Sequence, residues 1–164
     1  MLQAPIVNDY EEHYEKLQAL RKLKNNIGLF GRFCFPTAAK RTTPPFHGEI
    51  YNYIADDTVF RVLIAAPRGT AKSTVVSLFL PLHKAAFKRE DEDLFIVIIS
   101  ESQTQSVNFL SRIKYHLDHS DKFREVFGDF SARTAKRWTN SDIILANGTR
   151  IVAVGTGQRV RGFI

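Results

Sequence analysis

Nine residues, Ala66-Pro67-Arg68-Gly69-Thr70-Ala71-Lys72-Ser73-Thr74, place a lysine and two hydroxyls directly after a glycine-containing loop. Those residue types at that spacing suit a polyphosphate. Backbone N–H groups at the start of a following helix cradle phosphate oxygens, helped by the positive end of the helix dipole. Lys72 adds a point charge at the β- and γ-phosphates, and the Ser73 hydroxyl is placed to ligate Mg²⁺. In the P-loop pattern G-x-x-x-x-G-K-[ST], Ala66 and Ala71 stand where glycines are usual. Alanine suits such positions where φ stays negative and its Cβ clears the phosphate. The sequence therefore predicts negative φ at both alanines, with Gly69 as the permissive hinge. The alternative is an ordinary strand-loop-helix turn that happens to carry a lysine.

Other side chains have two readings each. The Arg68 guanidinium, inside the loop, is placed to stabilise charge on a transferring γ-phosphate, an effect worth about 10³–10⁵ in rate in phosphoryl-transfer sites. It could equally pair with a surface acid. Glu101 follows an apolar run, where open α/β sheets carry their sites, yet it could simply cap a helix. Trp138 lies near Arg133, Lys136 and Arg137, which permits base stacking or plain core packing. His13, His83, His116 and His119 have no metal-like partners, so Mg²⁺ brought by a nucleotide is the only metal expected.

The elements that must position this loop are legible as patterns. Phe60 to Ala65 is a short apolar, β-branched run, and Arg61 to Ala66 reads as a strand. The helix after the loop runs from about Lys72 to Lys88. Leu94 to Ile99 is continuously apolar, as a strand buried on both faces should be. Ser102 to Leu117 is helical, with Val107, Leu110, Ile113 and Leu117 on its apolar face. Asp142 to Leu145 and Arg150 to Val154 flank Asn147-Gly148, a strong hairpin signal. Upstream, Tyr10 to Lys24 reads as a helix presenting Tyr14, Leu17, Leu20 and Leu23. Leu29 to Pro45 reads as irregular, and Phe46 to Ile54 as a helix with Phe46, Ile50 and Tyr53 or Ile54 on one side. The expected fold is α/β: a mainly parallel sheet with right-handed crossovers and flanking helices, plus a β-hairpin. The chain divides into 1–45, a helix and a wrapping segment, and 46–164, the front part of a nucleotide-binding domain.

At 164 residues the chain suffices for one core, and its formal charge of +6 suits a polyanionic partner. From Ser131 onward six basic residues stand against the single acid Asp142, favouring nucleic acid over a membrane or else forming a solvated basic face. No apolar run approaches a membrane span. Nothing near Met1 resembles a signal peptide, and the lone Cys34 is compatible with a reducing compartment.

An arginine four residues before the loop lysine, with alanine just before that lysine, resembles the altered Walker A loop of the large terminase subunit of tailed bacteriophages. Ser100-Glu101-Ser102-Gln103-Thr104-Gln105, Asn147-Gly148-Thr149-Arg150 and Gly155-Thr156-Gly157-Gln158-Arg159-Val160-Arg161-Gly162 fit segments of that family in order and spacing. So does Pro45-Phe46-His47 before a helix. The resemblance runs from about residue 29 to Ile164. It implies a RecA-like ATPase fold and an ATP site in which Phe46 and His47 contact adenine. It further implies an Arg-Gly loop, with Arg159 and Arg161, that couples nucleotide state to DNA movement. The implied partners are double-stranded DNA, a portal protein, a small terminase subunit and further copies in a ring, all in the host cytoplasm. A hydrolysing P-loop enzyme also needs an apolar strand ending in Asp and a neighbouring Glu. In the family these follow the Arg-Gly loop, and this chain stops at Ile164. The resemblance thus implies the front part of a motor that binds nucleotide and hydrolyses it poorly. A helicase-like remodeller and a non-hydrolysing assembly module remain alternatives.

Overall fold

The computed structural model describes residues 6–40, 44–56 and 58–157. Helices α1 (Ile6–Lys24), α2 (Ile27–Cys34) and α3 (Phe46–Ala55) precede the loop. After it come α4 (Lys72–Thr74), a π-helical turn (Val75–Phe79) and α5 (Leu80–Ala86). Strand β1 (Phe95–Ser100), helices α6 (Gln103–His119) and α7 (Asp121–Phe127), and strands β2 (Arg137–Trp138), β3 (Asp142–Ile144) and β4 (Arg150–Gly155) complete the chain order. The architecture is mixed α/β.

The sheet runs β1-β4-β3-β2. Only β1 and β4 pair in parallel, Phe95 opposite Arg150 through Ser100 opposite Gly155, while β4–β3 and β3–β2 are antiparallel. The expected mainly parallel sheet is therefore not found among the described residues. The reason lies in one segment: Arg61 to Ala66 joins no ladder, so the parallel part stops at β1 and the hairpin contributes the rest. β1 is consequently an edge strand. Its Phe95, Val97 and Ile99 are exposed, which corrects the expectation of burial on both faces. The hairpin forms as expected. Gly148 takes φ +85° at the turn, and Asn147 ties the turn to the Ala85 carbonyl through Nδ2 at 2.8 Å.

Helix α6 covers one face of the sheet with Leu110, Ile113 and Leu117, each fully buried. Ser102 caps it by accepting from the Gln105 N–H. Its first residue also fastens the sheet, because Gln103 accepts the Gly155 N–H at 2.7 Å and donates to the Ala153 carbonyl at 3.1 Å. A Cβ at Gly155 would lie 2.5 Å from the Gln103 nitrogen, so the crossing of β4 with the start of α6 requires glycine.

Helix α2 falls where an irregular segment was expected. Asn26 caps it by accepting from the Leu29 N–H at 2.8 Å, and burial of Phe30, Ile27 and Cys34 outweighs the low helix propensity of Gly28 and Gly31. Gly31 permits close packing on the π turn, since a Cβ there would lie 2.5 Å from the Phe79 ring. Phe30 sits at the centre of an aromatic cluster. It makes edge contacts with Phe35 at 5.7 Å, Phe127 at 5.8 Å and His83 at 5.1 Å. Burying one such ring contributes about 1.5–3 kcal/mol. Cys34 is buried beside this cluster, and burial pushes its thiol up to about 12. Helix α1, by contrast, buries only Leu23 of its predicted face, and Tyr14 and Leu17 stay exposed. No described helix is long and apolar enough to cross a membrane.

The π turn has a local cause. Pro81 cannot donate to the Ser77 carbonyl, and in an α-helix its ring would collide with that group. One residue is accommodated in a wider turn, closed by the Leu80 N–H to the Val75 carbonyl.

His83 of α5 is buried and bonds through Nε2 to the Lys24 carbonyl at 2.9 Å and, less closely, to Leu23 at 3.3 Å. A carbonyl only accepts, so Nε2 carries a proton and donates. Burial lowers the pKa of His83 below its usual value, as burial also does for His116. A histidine held neutral in the folded state contributes stability above its unfolded pKa and loses it as pH falls below that value. Thermal unfolding temperature should therefore fall between pH 7 and pH 5, and fall less steeply in His83→Gln. Parallel slopes for the two proteins would count against this account.

Candidate phosphate-binding loop

The loop precedes α4, but the segment before it, Arg61 to Ala66, is not the strand that the residue pattern predicted, and the loop backbone differs too. Gly69 takes φ +83° and Ala71 takes φ 58°, ψ 16°. Ala71 is the one non-glycine residue with positive φ among the described residues, so the expectation of negative φ is overturned there. The left-handed region costs an L-residue about 1–2 kcal/mol. Two left-handed residues flanking Thr70 give a turn in which successive N–H groups can converge, the geometry of an anion-binding nest.

The amides bear this out. None of the N–H groups of Gly69, Thr70, Ala71, Lys72 and Ser73 donates a hydrogen bond among the described residues. The carbonyl side of the loop is braced instead. Thr70 Oγ1 donates to the Pro67 carbonyl at 2.8 Å, and His47 Nε2 lies 2.6 Å from the Thr70 carbonyl. Lys72 turns back over the loop entry, donating from Nζ to the carbonyls of Ala66 at 2.7 Å and Pro67 at 3.1 Å. Its ammonium is held by neutral oxygens, which an anion can displace it from without breaking an ion pair. Ser73 is exposed and its hydroxyl has no partner among the described residues. A free hydroxyl directly after the lysine fits an Mg²⁺ ion carried by a triphosphate. Arg68 is exposed and has no acidic partner among the described residues.

Beside the loop lies a pocket of about 360 Å³, lined by Gly69, Thr70 and Ala71, by Tyr51 and His47 of α3, and by Phe79 of the π turn. Thr74 joins the loop wall to the apolar wall, and among the described residues no carboxylate lines the cavity. Phe46 is partly exposed, its ring edge-on to His47 at 4.7 Å. His47 is buried and faces the loop through its bond to the Thr70 carbonyl, and Ile50 is buried as well. The inward side of α3 is thus His47 and Ile50, whereas Phe46 and Tyr53, placed on the apolar side by pattern, are exposed.

Arg112 of α6 was not anticipated. Its Nη2 lies 3.4 Å from Thr74 Oγ1, bringing a guanidinium to the edge of the pocket. The two lie 38 positions apart in the chain, and no spacing rule could have linked them. Glu101 is exposed beyond β1, its carbonyl accepting the Thr156 hydroxyl at 2.8 Å.

The basic stretch near the C-terminus is largely committed to local acids. Arg133 pairs with Asp129 at 2.6 Å, while Arg137 and Arg150 share Asp142 at 2.6 and 2.9 Å. Partial burial pushes the Asp142 carboxyl up, but its bonds to Arg150 and Arg137 outweigh that and hold it below the ordinary range. The hydroxyl and N–H of Ser131, with Arg133, hold Asp129 lower still. Trp138 packs against the core with Lys114 Nζ 5.3 Å from its ring centre. Arg159 and Arg161 lie outside the described residues. No group of three His, Cys, Asp or Glu side chains able to hold a metal occurs among the described residues.

In comparison with known proteins, the chain matches no protein-family model and none of the curated proteins.

Relief of the left-handed strain gives a direct test of the loop backbone. Ala71→Gly should be neutral or stabilising by up to about 1 kcal/mol, because glycine's entropic cost of 0.5–1 kcal/mol is offset by the strain removed. Ala71→Val should destabilise by more than about 1 kcal/mol. Chemical denaturation of the three proteins measures both, and destabilisation by glycine would contradict a positive φ at this position.

Proposed function

We propose that this chain binds the triphosphate of ATP with Mg²⁺ and is the nucleotide-binding part of a DNA-packaging motor similar to the large terminase subunit of tailed bacteriophages. The observation that carries the binding reading is the run of five unsatisfied amides, Gly69 to Ser73, ending at Lys72 and a free Ser73 hydroxyl. Such a concavity is complementary to phosphate oxygens, and Lys72 supplies the charge. On this reading Ala66 and Pro67 hold the lysine until nucleotide arrives. Gly69 to Lys72 then cradle the phosphates, Ser73 and Thr74 lie against Mg²⁺ and the adjoining phosphate, and Arg68 reaches the γ-phosphate. The pocket lined by His47 and Tyr51, with Phe46 edge-on to His47, receives the base.

The motor assignment rests on the order and spacing of motifs in the sequence. With it come double-stranded DNA, a portal protein, a small terminase subunit and a ring of copies as partners in a host cytoplasm. Arg159 and Arg161 would relay nucleotide state to DNA. The fold proposed for the whole ATPase is RecA-like, with Arg61 to Ala66 entering the sheet beside further strands. One observation favours a second reading for the chain by itself. Among the described residues no carboxylate lines the pocket, so a module that binds nucleotide without hydrolysing it is compatible with the same residues.

Lys72→Ala should weaken binding of a non-hydrolysable ATP analogue by well over tenfold, tenfold being about 1.4 kcal/mol and within reach of one charge-assisted bond. Calorimetric titration decides this, and equal affinities would remove the phosphate-loop assignment. Turnover is a separate matter. With no acid to polarise water, the purified chain should hydrolyse Mg-ATP no faster than Lys72→Ala does. Robust ATPase activity would place a catalytic acid within these residues, with Glu101 the first to replace.

A further inference from the structure

His47 is buried at 5 % exposure on the inward side of α3, and its one hydrogen bond reaches a backbone carbonyl 23 residues away. That carbonyl belongs to the peptide joining Thr70 to Ala71. Because a carbonyl can only accept, the imidazole donates from Nε2, which leaves that nitrogen unable to read a ligand. A trans peptide points its C=O and N–H in opposite directions, and the described chain contains no cis peptide. Fixing the Thr70 carbonyl toward α3 therefore turns the Ala71 N–H away from α3, into the concave side of the loop. The same peptide plane sets φ of Ala71, the residue that stands in the left-handed region without being glycine.

We infer that His47 is a positioning residue for the phosphate loop: its bond to the Thr70 carbonyl holds Ala71 in its left-handed conformation and aims the Ala71 N–H at the phosphate, with no contact of its own to the base. This rests on the phosphate-loop reading above. The surroundings support a strut rather than a mobile contact. The ring is fixed edge-on between Phe46 at 4.7 Å and Tyr51 at 6.0 Å. Thr70 is also braced from the other side by its hydroxyl bond to Pro67. Where glycine occupies the position before the lysine, the left-handed turn costs little. With alanine there, an external bond is needed to hold a conformation the residue itself disfavours.

The test is a set of titrations with ATP, GTP and inorganic tripolyphosphate. The proteins are wild type, His47→Ala, His47→Gln, Ala71→Gly, the His47→Ala/Ala71→Gly double variant and Lys72→Ala. A strut serves the phosphates, so His47→Ala should lose about tenfold in affinity for all three ligands alike. His47→Gln, which keeps a side-chain N–H donor, should recover most of the loss. In the Ala71→Gly background, where the left-handed turn is unstrained, the loss should shrink to about threefold or less. A loss confined to ATP, with GTP and tripolyphosphate unaffected, would make His47 a base contact and overturn the inference. So would an equal loss in both Ala71 backgrounds, the mark of general packing. Should His47→Ala fail to fold, the comparison of His47→Gln with wild type on tripolyphosphate still decides, near-equal affinity being required. Binding that ignores Lys72→Ala sinks the phosphate-loop reading and this inference with it. Binding that needs Lys72 but ignores His47→Ala sinks this inference alone.

Discussion

Everything around the loop depends on how α2 packs against the helix that follows it. Phe30 and Gly31 lie one residue apart on α2: the first enters the ring cluster of His83 and Phe127, the second lets the Phe79 ring approach the α2 backbone. Together they fix the π turn and the helix α5 that follows it. Remove that contact and the loop loses its platform, because the segment before the loop, Arg61 to Ala66, is not paired into the sheet. In most strand-loop-helix units a central strand supplies the rigidity. Among the described residues here it comes from aromatic packing behind the helix and from α3 in front.

The loop itself shows how such a platform is used. Its amides from Gly69 to Ser73 are unsatisfied donors among the described residues, while the carbonyls of Ala66, Pro67 and Thr70 are bonded by Thr70 and Lys72 within the loop and His47 outside it. Donors left open on one side while acceptors are satisfied on the other give a loop poised for anions. The cost of leaving five amides unpaired is tolerable because they are on an exposed surface where water can reach them. Desolvating them becomes favourable only when a ligand brings enough acceptor oxygens to replace that water.

Much of this was legible in the residues, for physical reasons that differ element by element. The hairpin was, because Asn147-Gly148 fits one turn geometry well and the flanking alternation is strict. Helix α6 was, because Leu110, Ile113 and Leu117 recur at helical spacing with Ser102 as a cap. Helix α2 was not, since two glycines among aromatics score poorly as a helix until the partners that bury them are known. The two-residue β2 rests on its pairing with β3, which no local pattern carries. Within the site, the lysine and hydroxyls were legible from spacing, whereas the sign of φ at Ala71 was not. A local rule says alanine avoids that region, and a histidine bond from a distant helix overrides the rule. Arg112 was invisible for the same reason. The strand expected at Arg61 to Ala66 has the right composition, but composition cannot say whether a partner edge is within reach. In the basic C-terminal stretch, the pairing of Arg133 with Asp129 and of Arg137 and Arg150 with Asp142 was not legible, because it depends on how the chain folds.

The π turn from Val75 to Phe79 carries a consequence for how this chain is compared with others. A π turn is an α-helix with one residue inserted, so the residues before it are displaced by about 100° around the axis relative to an uninterrupted helix. Position-by-position alignment of the segment from Lys72 to Ala86 with an ordinary helix therefore matches core positions on one side of the turn and mismatches them on the other. A single-residue gap inside Val75 to Phe79 restores the correspondence on both sides. Helices of equal ancestry but differing by that one residue will look less alike than they are unless the gap is allowed.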